Sequence, residues 1–297
     1  MCMRNFRVKG KRRMRICKNG FEVEKNTLYV VPTPIGNLSD ITERSLEVLK
    51  KVDFIAAEDT RVSGKLLSLF GIKQNYVSYH EHNKTEQGEK IAERISAGES
   101  CAIVTDAGTP AVSDPGEQLV RLCREKGIAV VALPGACAFV TALSASGMSS
   151  RRFCFEGFLP PDKAERREIL DGYTNERKTV IFYESPHHLQ GTVKELLEAL
   201  GDRSVCAARE LTKINEEYVI TTLSKLDAFL CENEPRGEYV LIVEGTKENG
   251  KEAFFVNMTV GEHVEFYEKQ GLKRMDAIKA CAKDRGVPKN QVYKELL

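Results

Sequence analysis

The chain has 297 residues, of which 42% are hydrophobic and 29% are charged, and its 44 Lys and Arg residues nearly balance its 43 Asp and Glu residues. This composition is typical of a globular protein and excludes a wholly disordered or fibrous chain. No apolar run approaches the ~18 residues of a membrane-spanning helix, and no apolar signal-peptide core follows the basic N-terminus, so we expect a cytoplasmic protein with no membrane contact.

The N-terminal segment differs in charge from the rest of the chain. Residues 1–26 carry nine basic and two acidic side chains, whereas the remaining residues are acidic overall. Because the segment shows no sustained periodicity, we predict a disordered tail over 1–26. Two interpretations are open: an arm that binds an anionic partner, or an upstream start that is not part of the functional protein.

Short apolar runs alternate with amphipathic stretches from residue 28 onward. Strands are predicted at 28–33, 53–58, 101–106 and 128–133, and helices at 41–52, 60–70, 84–97, 115–126 and 136–146. Strands that alternate with helices of this length predict βαβ units and a mainly parallel sheet covered on both faces. We therefore predict an N-terminal α/β domain over 27–147.

A second α/β domain is predicted over 148–246, after the segment SGMSSRR (146–152). It begins at FCFEGF, and its further predicted elements are helices at 163–172, 187–200 and 223–231 and strands at 179–184, 204–209, 217–222 and 237–245. The strands at 204–209 and 217–222 follow each other without a long crossover, which indicates a mixed sheet. A charged linker, TKENGKE (246–252), ends this domain.

The last residues, 254–297, predict a small helical module. Three short amphipathic helices are interrupted at Gly271 and at Gly286-Val287-Pro288, and the last two helices have the format of a helix-turn-helix. Residues 255–297 carry eight basic and six acidic side chains, so this module either exposes a solvated helical face or binds a nucleic acid.

Four loops that follow the predicted strands of the first domain are rich in Pro, Gly and acidic residues. They are PTPIGNLSD (32–40), AEDTR (57–61), TDAGTPAVSDPG (105–116) and LPGACA (133–138). Because the carboxyl ends of parallel strands meet at one edge of a sheet, these loops predict a binding site there. Neither G-x-G-x-x-G nor a P-loop motif occurs, which argues against a Rossmann dehydrogenase and a P-loop ATPase.

The third loop has the strongest functional pattern. Gly108 permits a close backbone approach, and the polar groups Thr105, Asp106 and Thr109 exceed what helix capping needs. The alternative is a structural turn from strand to helix, because Asp114-Pro115 also forms a good helix start.

These motifs, together with FYESPH, ARELTK and GEYVLIVEG, resemble the tetrapyrrole methylase superfamily and, within it, the branch that methylates small-subunit ribosomal RNA. The resemblance covers roughly residues 27–245 and is specific because the motifs occur together in order. It implies a class III methyltransferase that binds S-adenosyl-L-methionine between two α/β domains, usually as a homodimer. The implied reaction is 2′-O-methylation of a cytidine ribose in the decoding region of 16S rRNA, with free 16S rRNA or the 30S subunit as the partner.

Position by position, the resemblance assigns cofactor contacts to residues of both domains. They are Ile35, Asp106, Ala107, Gly108, Thr109, Val112, Cys137, Ala138, Tyr183 and Leu211. The chain has Gly108-Thr109-Pro110 where the tetrapyrrole enzymes have Gly-Asp-Pro, which leaves the role of Asp106 open.

A ribose hydroxyl is a weak nucleophile, so a positioned base would help by taking its proton. The candidates are Glu58, Asp59 and Glu184, with His80 as a further one. Glu58 and Asp59 are favoured because the AEDTR motif places them at a strand end beside Arg61, which could hold a phosphate bidentately. The alternative is a structural ion pair together with a helix N-cap at Asp59 or Thr60.

Other RNA contacts are predicted in the C-terminal module, at Lys273, Arg274, Lys283 and Lys289. We predict no metal site, because neither His80-Glu81-His82 nor His187-His188 has a preferred ligand spacing. The nine cysteines include no C-x-x-C motif and predict reduced thiols. Two other functions stay open: a methylase of a tetrapyrrole or another small acceptor, and a non-catalytic RNA-binding assembly factor on the same scaffold.

Overall fold

A computed structural model describes residues 22–246, 255 and 258–296. Residues 1–21 of the predicted tail and residues 247–252 of the predicted linker lie outside the described residues. In the described part of the chain, no helix is both long and apolar enough to cross a lipid bilayer, and the seven cysteines there are free thiols.

The first domain is built on a five-stranded parallel sheet with the strand order β3-β2-β4-β1-β5. The strands are β1 (Thr27–Val30), β2 (Phe54–Ala57), β3 (Tyr76–Ser78), β4 (Ser100–Val104) and β5 (Ala129–Ala132). The helices are α1 (Glu43–Lys51), α2 (Thr60–Leu69), α3 (Lys84–Ser96), α4 (Gly116–Glu125) and α5 (Ala138–Ala145). The predicted parallel sheet is confirmed. The sequence missed β3, which has three half-buried residues and is too short to show a period.

Both faces of this sheet are buried, which explains why its strands read as continuous apolar runs. Leu28, Phe54 and Ile103 face one core with Ile91 of α3 and Leu119 of α4. The alternate strand residues face a second core with side chains of α1 and α2. The sheet therefore forms a rigid base for the loops at its carboxyl edge.

The second domain contains a mixed sheet with the strand order β6-β7-β10-β8-β9, in which only β6 and β7 are parallel. Its strands are β6 (Phe153–Phe158), β7 (Thr179–Glu184), β8 (Ser204–Arg209), β9 (Glu217–Thr222) and β10 (Tyr239–Val243). Its helices are α6 (Lys163–Gly172), α7 (Pro186–Leu200) and α8 (Leu223–Glu232). The mixed sheet predicted from the sequence is confirmed.

Helix α5 joins the two domains. Although the sequence places it in the first domain, its residues Ala142 and Leu143 are buried against Ile181, Cys206 and Ile242 of the second sheet. The loop that enters α5 is therefore held against the second domain. The division of the chain at 147/148 stays a prediction.

The C-terminal module consists of α9 (Val260–Lys269), α10 (Arg274–Asp284) and α11 (Lys289–Glu295), which confirms the three predicted helices. Val264, Ile278, Cys281 and Val292 are among the buried side chains of its own small core. Pro288 occupies the N-cap position of α11.

Residues 22–26 are ordered by contacts with the first domain, so the predicted disorder is wrong for this part of the tail. The side-chain amide of Asn26 donates to the carbonyl of Ile95 at 2.9 Å, and its backbone N–H donates to Glu99 O at 3.0 Å. The ammonium of Lys25 lies 2.5 Å from Asp53 Oδ1. These bonds attach the segment to the ends of the sheet before β1 begins.

Replacing Asp53 with Asn should cost about 2 kcal/mol of unfolding free energy at neutral pH, and this cost should shrink in acid. Burial opposes ionisation of Asp53, but hydrogen bonds from Lys25 and Ser100 outweigh it and lower the pKa of this carboxyl from 3.8 to about 2. Because the pKa in the folded state is depressed, the stabilisation is present above the unfolded pKa and is lost as the pH falls toward 2. Urea unfolding of the wild type and of Asp53→Asn between neutral pH and the acid range measures this difference in unfolding free energy.

The control is Asp171→Asn, which removes an exposed ion pair with Arg167 and should change stability by less than about 1 kcal/mol. A difference between wild type and Asp53→Asn that stays constant from pH 6 to pH 3 would contradict this account.

Candidate functional site

A cavity of about 430 Å³ lies between the two domains at the carboxyl edge of the first sheet. Its walls come from the loops after β2, β4 and β5, from Ile35 in the loop after β1, and from four parts of the second domain: the ends of β6 and β7, the segment 210–213 and the start of β10. The cavity brings together every residue to which the sequence assigned a cofactor contact: Ile35, Asp106, Ala107, Gly108, Thr109, Val112, Cys137, Ala138, Tyr183 and Leu211.

The loops from the first sheet are locked to each other through their backbones. Thr33 N–H donates to Gly108 O at 2.9 Å, and Gly108 N–H donates back to Thr33 O at 3.1 Å. The hydroxyl of Thr109 donates to the carbonyl of Ala136 at 2.8 Å. These bonds fix the first, third and fourth loops as one wall of the cavity.

Gly108 is required by the geometry of this wall. Its φ is +87°, a conformation that favours glycine, and an added Cβ would lie 3.2 Å from Ile35 Cγ2. The remainder of the third loop is held by Asp114, whose Oδ1 accepts hydrogen bonds from Ala111 N and Gly116 N. Asp114 therefore carries the structural role that the sequence left open for this loop. Thr105, Asp106 and Thr109 line the cavity, where their side chains bond to Glu58, to Asp59 N and to the carbonyl of Ala136.

The cavity fits a ligand with both apolar and polar parts. Ile35, Val112, Leu211 and Val240 supply apolar surface, and the backbone of the third loop lies beside them. On the second-domain side of the cavity, Ser185 Oγ is buried and has no hydrogen-bond partner among the described residues. A volume of this size with a few polar groups is typical of a small-molecule site.

Tyr183 connects this site to α5. Its hydroxyl accepts a hydrogen bond from Phe139 N–H at 3.1 Å, and its ring contacts the rings of Phe155 and Phe158 edge to face. Burial raises the pKa of the Tyr183 phenol to about 12. The side chain therefore stays neutral and anchors the N-terminus of α5 to the second sheet.

The three candidate bases differ in their surroundings. Glu58 is half-buried at the cavity wall, and its Oε2 accepts a hydrogen bond from the Thr105 hydroxyl at 3.0 Å. Glu184 also lines the cavity but is only 5% exposed, and both of its oxygens are engaged, by Ser185 N and by the Thr192 hydroxyl. Glu184 therefore holds the start of α7, whereas Glu58 faces the cavity.

Asp59 has the structural role that was the alternative to acting as a base, since it caps a helix and pairs with Arg61. It is the N-cap of α2, accepts from Arg61 N at 2.8 Å, and pairs with the Arg61 guanidinium through two further hydrogen bonds of 3.1 and 2.7 Å. The Arg61 guanidinium holds the pKa of Asp59 far below its usual range. Since Asp59 is also absent from the cavity lining, the geometry disfavours it as a base.

The predicted RNA-binding residues do not converge on the cavity. Arg61 is 84% exposed but paired with Asp59. Lys273, Arg274, Lys283 and Lys289 are exposed on the C-terminal module, and none of them lines the cavity. Their contact with RNA stays a prediction. Within the described ranges, no three His, Cys, Asp or Glu side chains are arranged to hold a metal ion.

No role was predicted for several second-domain residues that line the cavity: Phe158, Ser185, Glu210, Lys213, Glu238, Tyr239 and Val240. Glu210 and Lys213 lie in the ARELTK motif, and Glu238 lies in GEYVLIVEG. The motifs were visible, but only the position of β10 between β7 and β8 shows that they meet at the first-domain loops.

Comparison with known proteins defines the class. The model of the family "Tetrapyrrole (Corrin/Porphyrin) Methylases" matches residues 27–227. The solved structure of uroporphyrin-III C-methyltransferase from Thermus thermophilus, in complex with S-adenosylhomocysteine, aligns with a TM-score of 0.54 and 18% identity over 73% of this chain and 97% of that one. The fold is thus that of a tetrapyrrole-type methylase.

Two relatives narrow this class. The chain is 47% identical over 272 residues to ribosomal RNA small subunit methyltransferase I of Halalkalibacterium halodurans, covering 91% of this chain and 94% of the relative. It is 46% identical over 269 residues to the protein of the same name from Bacillus subtilis, covering 90% and 92%. The chain belongs to the ribosomal RNA small subunit methyltransferase I family of the tetrapyrrole methylases, which confirms the resemblance inferred from its motifs.

Proposed function

We propose that this chain transfers the methyl group of S-adenosyl-L-methionine to the 2′-hydroxyl of a cytidine in the decoding region of 16S rRNA. The observation that carries the proposal is the convergence of all ten assigned cofactor residues on one cavity, in a chain whose relatives are named as small-subunit rRNA methyltransferases. We further propose that it acts in the cytoplasm as a homodimer, on free 16S rRNA or on the 30S subunit.

When bound, S-adenosyl-L-methionine supplies a methyl group that is already activated on a sulfonium. The main tasks of the protein are then to align the two reactants and to keep water out. The apolar side chains of Ile35, Val112 and Leu211 help to exclude water. The backbone of residues 107–109 is fixed by its bonds to Thr33 and Ala136 and helps to align the reactants.

Glu58 is the proposed general base. It accepts the proton of the acceptor hydroxyl, and the Thr105 hydroxyl orients its carboxylate by donating to Oε2. Unlike Asp59, Glu58 is not paired with an arginine in the hydrogen bonds of the described residues, and unlike Glu184 it is not enclosed by the start of α7. Its position at the end of β2 places it at the same edge as the cofactor loops.

The test supplies labelled S-adenosyl-L-methionine together with purified 30S subunits, naked 16S rRNA or uroporphyrinogen III. We expect label in the RNA and none in the porphyrinogen. Label in the porphyrinogen instead would favour a small-acceptor methylase. Failure to bind the cofactor in calorimetry would favour a non-catalytic RNA-binding factor.

A further inference from the structure

The charge of the cavity conflicts with the charge of the proposed acceptor. Six carboxylates line it: Glu58, Asp106, Asp114, Glu184, Glu210 and Glu238. Among the described residues, the one basic side chain in this lining is Lys213. RNA is a polyanion, and phosphate contacts by Lys and Arg supply much of its binding free energy. Lys213 is therefore the one cation that this lining offers to the phosphates of an acceptor strand among the described residues.

Lys213 is held at the mouth of the cavity by two carboxylates. Its Nζ donates to Glu210 Oε1 at 2.8 Å and lies 3.9 Å from Glu238 Oε2. The lysine side chain is 34% exposed, and that of Glu238 is 83% exposed, so the ammonium is accessible from solvent. Glu210 is fixed in turn, because its Oε1 also accepts the backbone N–H of Glu238 at 3.2 Å.

The stem of Lys213 rests on the first cofactor loop. A Cβ added at Gly36 would lie 2.5 Å from Lys213 Cγ and 2.9 Å from the carbonyl of Leu211. Only a residue without a side chain allows the two domains to approach this closely here. The Lys213 side chain is therefore positioned by contacts from both domains, next to the loop that carries Ile35.

The backbone around Lys213 is strained. Glu210 and Thr212 have φ values of +48° and +64°, which L-residues rarely adopt. Between them, Leu211 is turned into the cavity and is 6% exposed, whereas Ile214, just beyond Lys213, is fully exposed. Strain of this kind persists where the surrounding structure enforces it, and it is concentrated at binding sites. The loop therefore turns Leu211 into the cavity and keeps the Lys213 ammonium at the cavity mouth.

We propose that Lys213 binds a phosphate of the acceptor RNA strand, exchanging the carboxylate of Glu210 for the phosphodiester, and thereby places the acceptor ribose over the cavity. This inference rests on the proposed function. Until RNA arrives, Glu210 keeps the ammonium paired and in position. Because one ion pair replaces another, the exchange occurs without leaving the lysine charge uncompensated.

The experiment compares Lys213→Ala, Lys213→Arg and the control Lys225→Ala in binding to 30S subunits and to a 16S rRNA fragment at several KCl concentrations. Lys225 is exposed on α8 and does not line the cavity. We expect Lys213→Ala to weaken RNA binding about tenfold and to reduce the slope of log K against log [KCl] by about 0.7 to 0.9, the value for one phosphate. Lys213→Arg should restore the slope, and Lys225→Ala should match the wild type.

Calorimetry with S-adenosyl-L-methionine completes the test. We expect its affinity for Lys213→Ala to stay within about twofold of the wild type, since the lysine contacts the acceptor. An unchanged salt slope in Lys213→Ala would overturn the inference, and so would a parallel loss of cofactor affinity, which would assign the ammonium to the cofactor. If the wild type itself does not methylate RNA, the proposed function fails as well. If the wild type methylates RNA and only the slope is unchanged, the role of Lys213 alone fails.

Discussion

Replacing Gly108 with Val should weaken S-adenosyl-L-methionine binding by about 10- to 100-fold, or 1–3 kcal/mol, the usual cost of overpacking. The new Cβ would lie 3.2 Å from Ile35 Cγ2, and the two methyl groups beyond it would crowd the wall formed by the first and third loops. The backbone bonds between Gly108 and Thr33 keep this wall from retreating. Isothermal calorimetry with the cofactor measures the loss directly.

The matched control is Gly127→Val. Gly127 also has a left-handed backbone, with φ +70°, but nothing lies within 4 Å of an added Cβ, and it does not line the cavity. Both variants should lose about 1–3 kcal/mol of stability through backbone strain, and only Gly108→Val should lose cofactor affinity. Equal affinity in the two variants would show that the cofactor does not occupy this wall.

The second large effect is expected for Glu58→Gln, which should lower the single-turnover rate of methyl transfer about 10²- to 10⁴-fold. The amide keeps the shape of the side chain and can still accept the hydrogen bond from Thr105, but it cannot accept a proton from the ribose. Cofactor and RNA affinities should therefore stay near the wild-type values. Rapid-quench measurement with enzyme in excess over RNA isolates this step.

Asp59→Asn is the control for this prediction, because Asp59 follows Glu58 in the same motif but caps α2 and pairs with Arg61. It should leave the rate within a few-fold of the wild type and change stability little, because Asn caps a helix about as well as Asp and the Arg61 side chain that loses its ion pair is largely exposed. A wild-type rate for Glu58→Gln, or a larger loss for Asp59→Asn than for Glu58→Gln, would contradict the assignment.

Much of the fold could be predicted because its strands are buried on both faces. Residues such as Leu28, Ile55 and Ile103 form uninterrupted apolar runs that differ clearly from the amphipathic helices between them. The edge strand β3 has no such run. The packing of α5 on the second sheet also could not be predicted, since its apolar face does not specify which sheet covers it.

The first-domain side of the site could be predicted from topology, whereas on the second-domain side only Tyr183, Glu184 and Leu211 were assigned. Gly108, Thr109 and Ala138 belong to loops at one edge of a parallel sheet, so their convergence follows from topology. Lys213 and Glu238 are separated by a strand, a helix and two loops, and they meet because β10 pairs with both β7 and β8. Such long-range antiparallel pairing leaves no local pattern in the sequence.

The roles of Glu58 and Asp59 in the AEDTR motif could not be distinguished from the sequence for a different reason. Spacing alone allowed Asp59 to be a base or a cap, because a short acidic side chain before a helix serves either role. The two side-chain hydrogen bonds from Arg61 to Asp59, at 3.1 and 2.7 Å, and the position of Glu58 at the cavity wall distinguish the two residues. That distinction depends on side-chain direction, which the residue order does not contain.

The most direct test of the central claim is to map the transferred methyl group at nucleoside level. Small-subunit RNA is methylated with isotopically labelled cofactor, digested to nucleosides and analysed by mass spectrometry, and labelled fragments are assigned to their region of the 16S rRNA. The account predicts label on 2′-O-methylcytidine from the decoding region, present with the wild type and greatly reduced with Glu58→Gln. Label on a base, on another nucleoside, or outside the decoding region would contradict it.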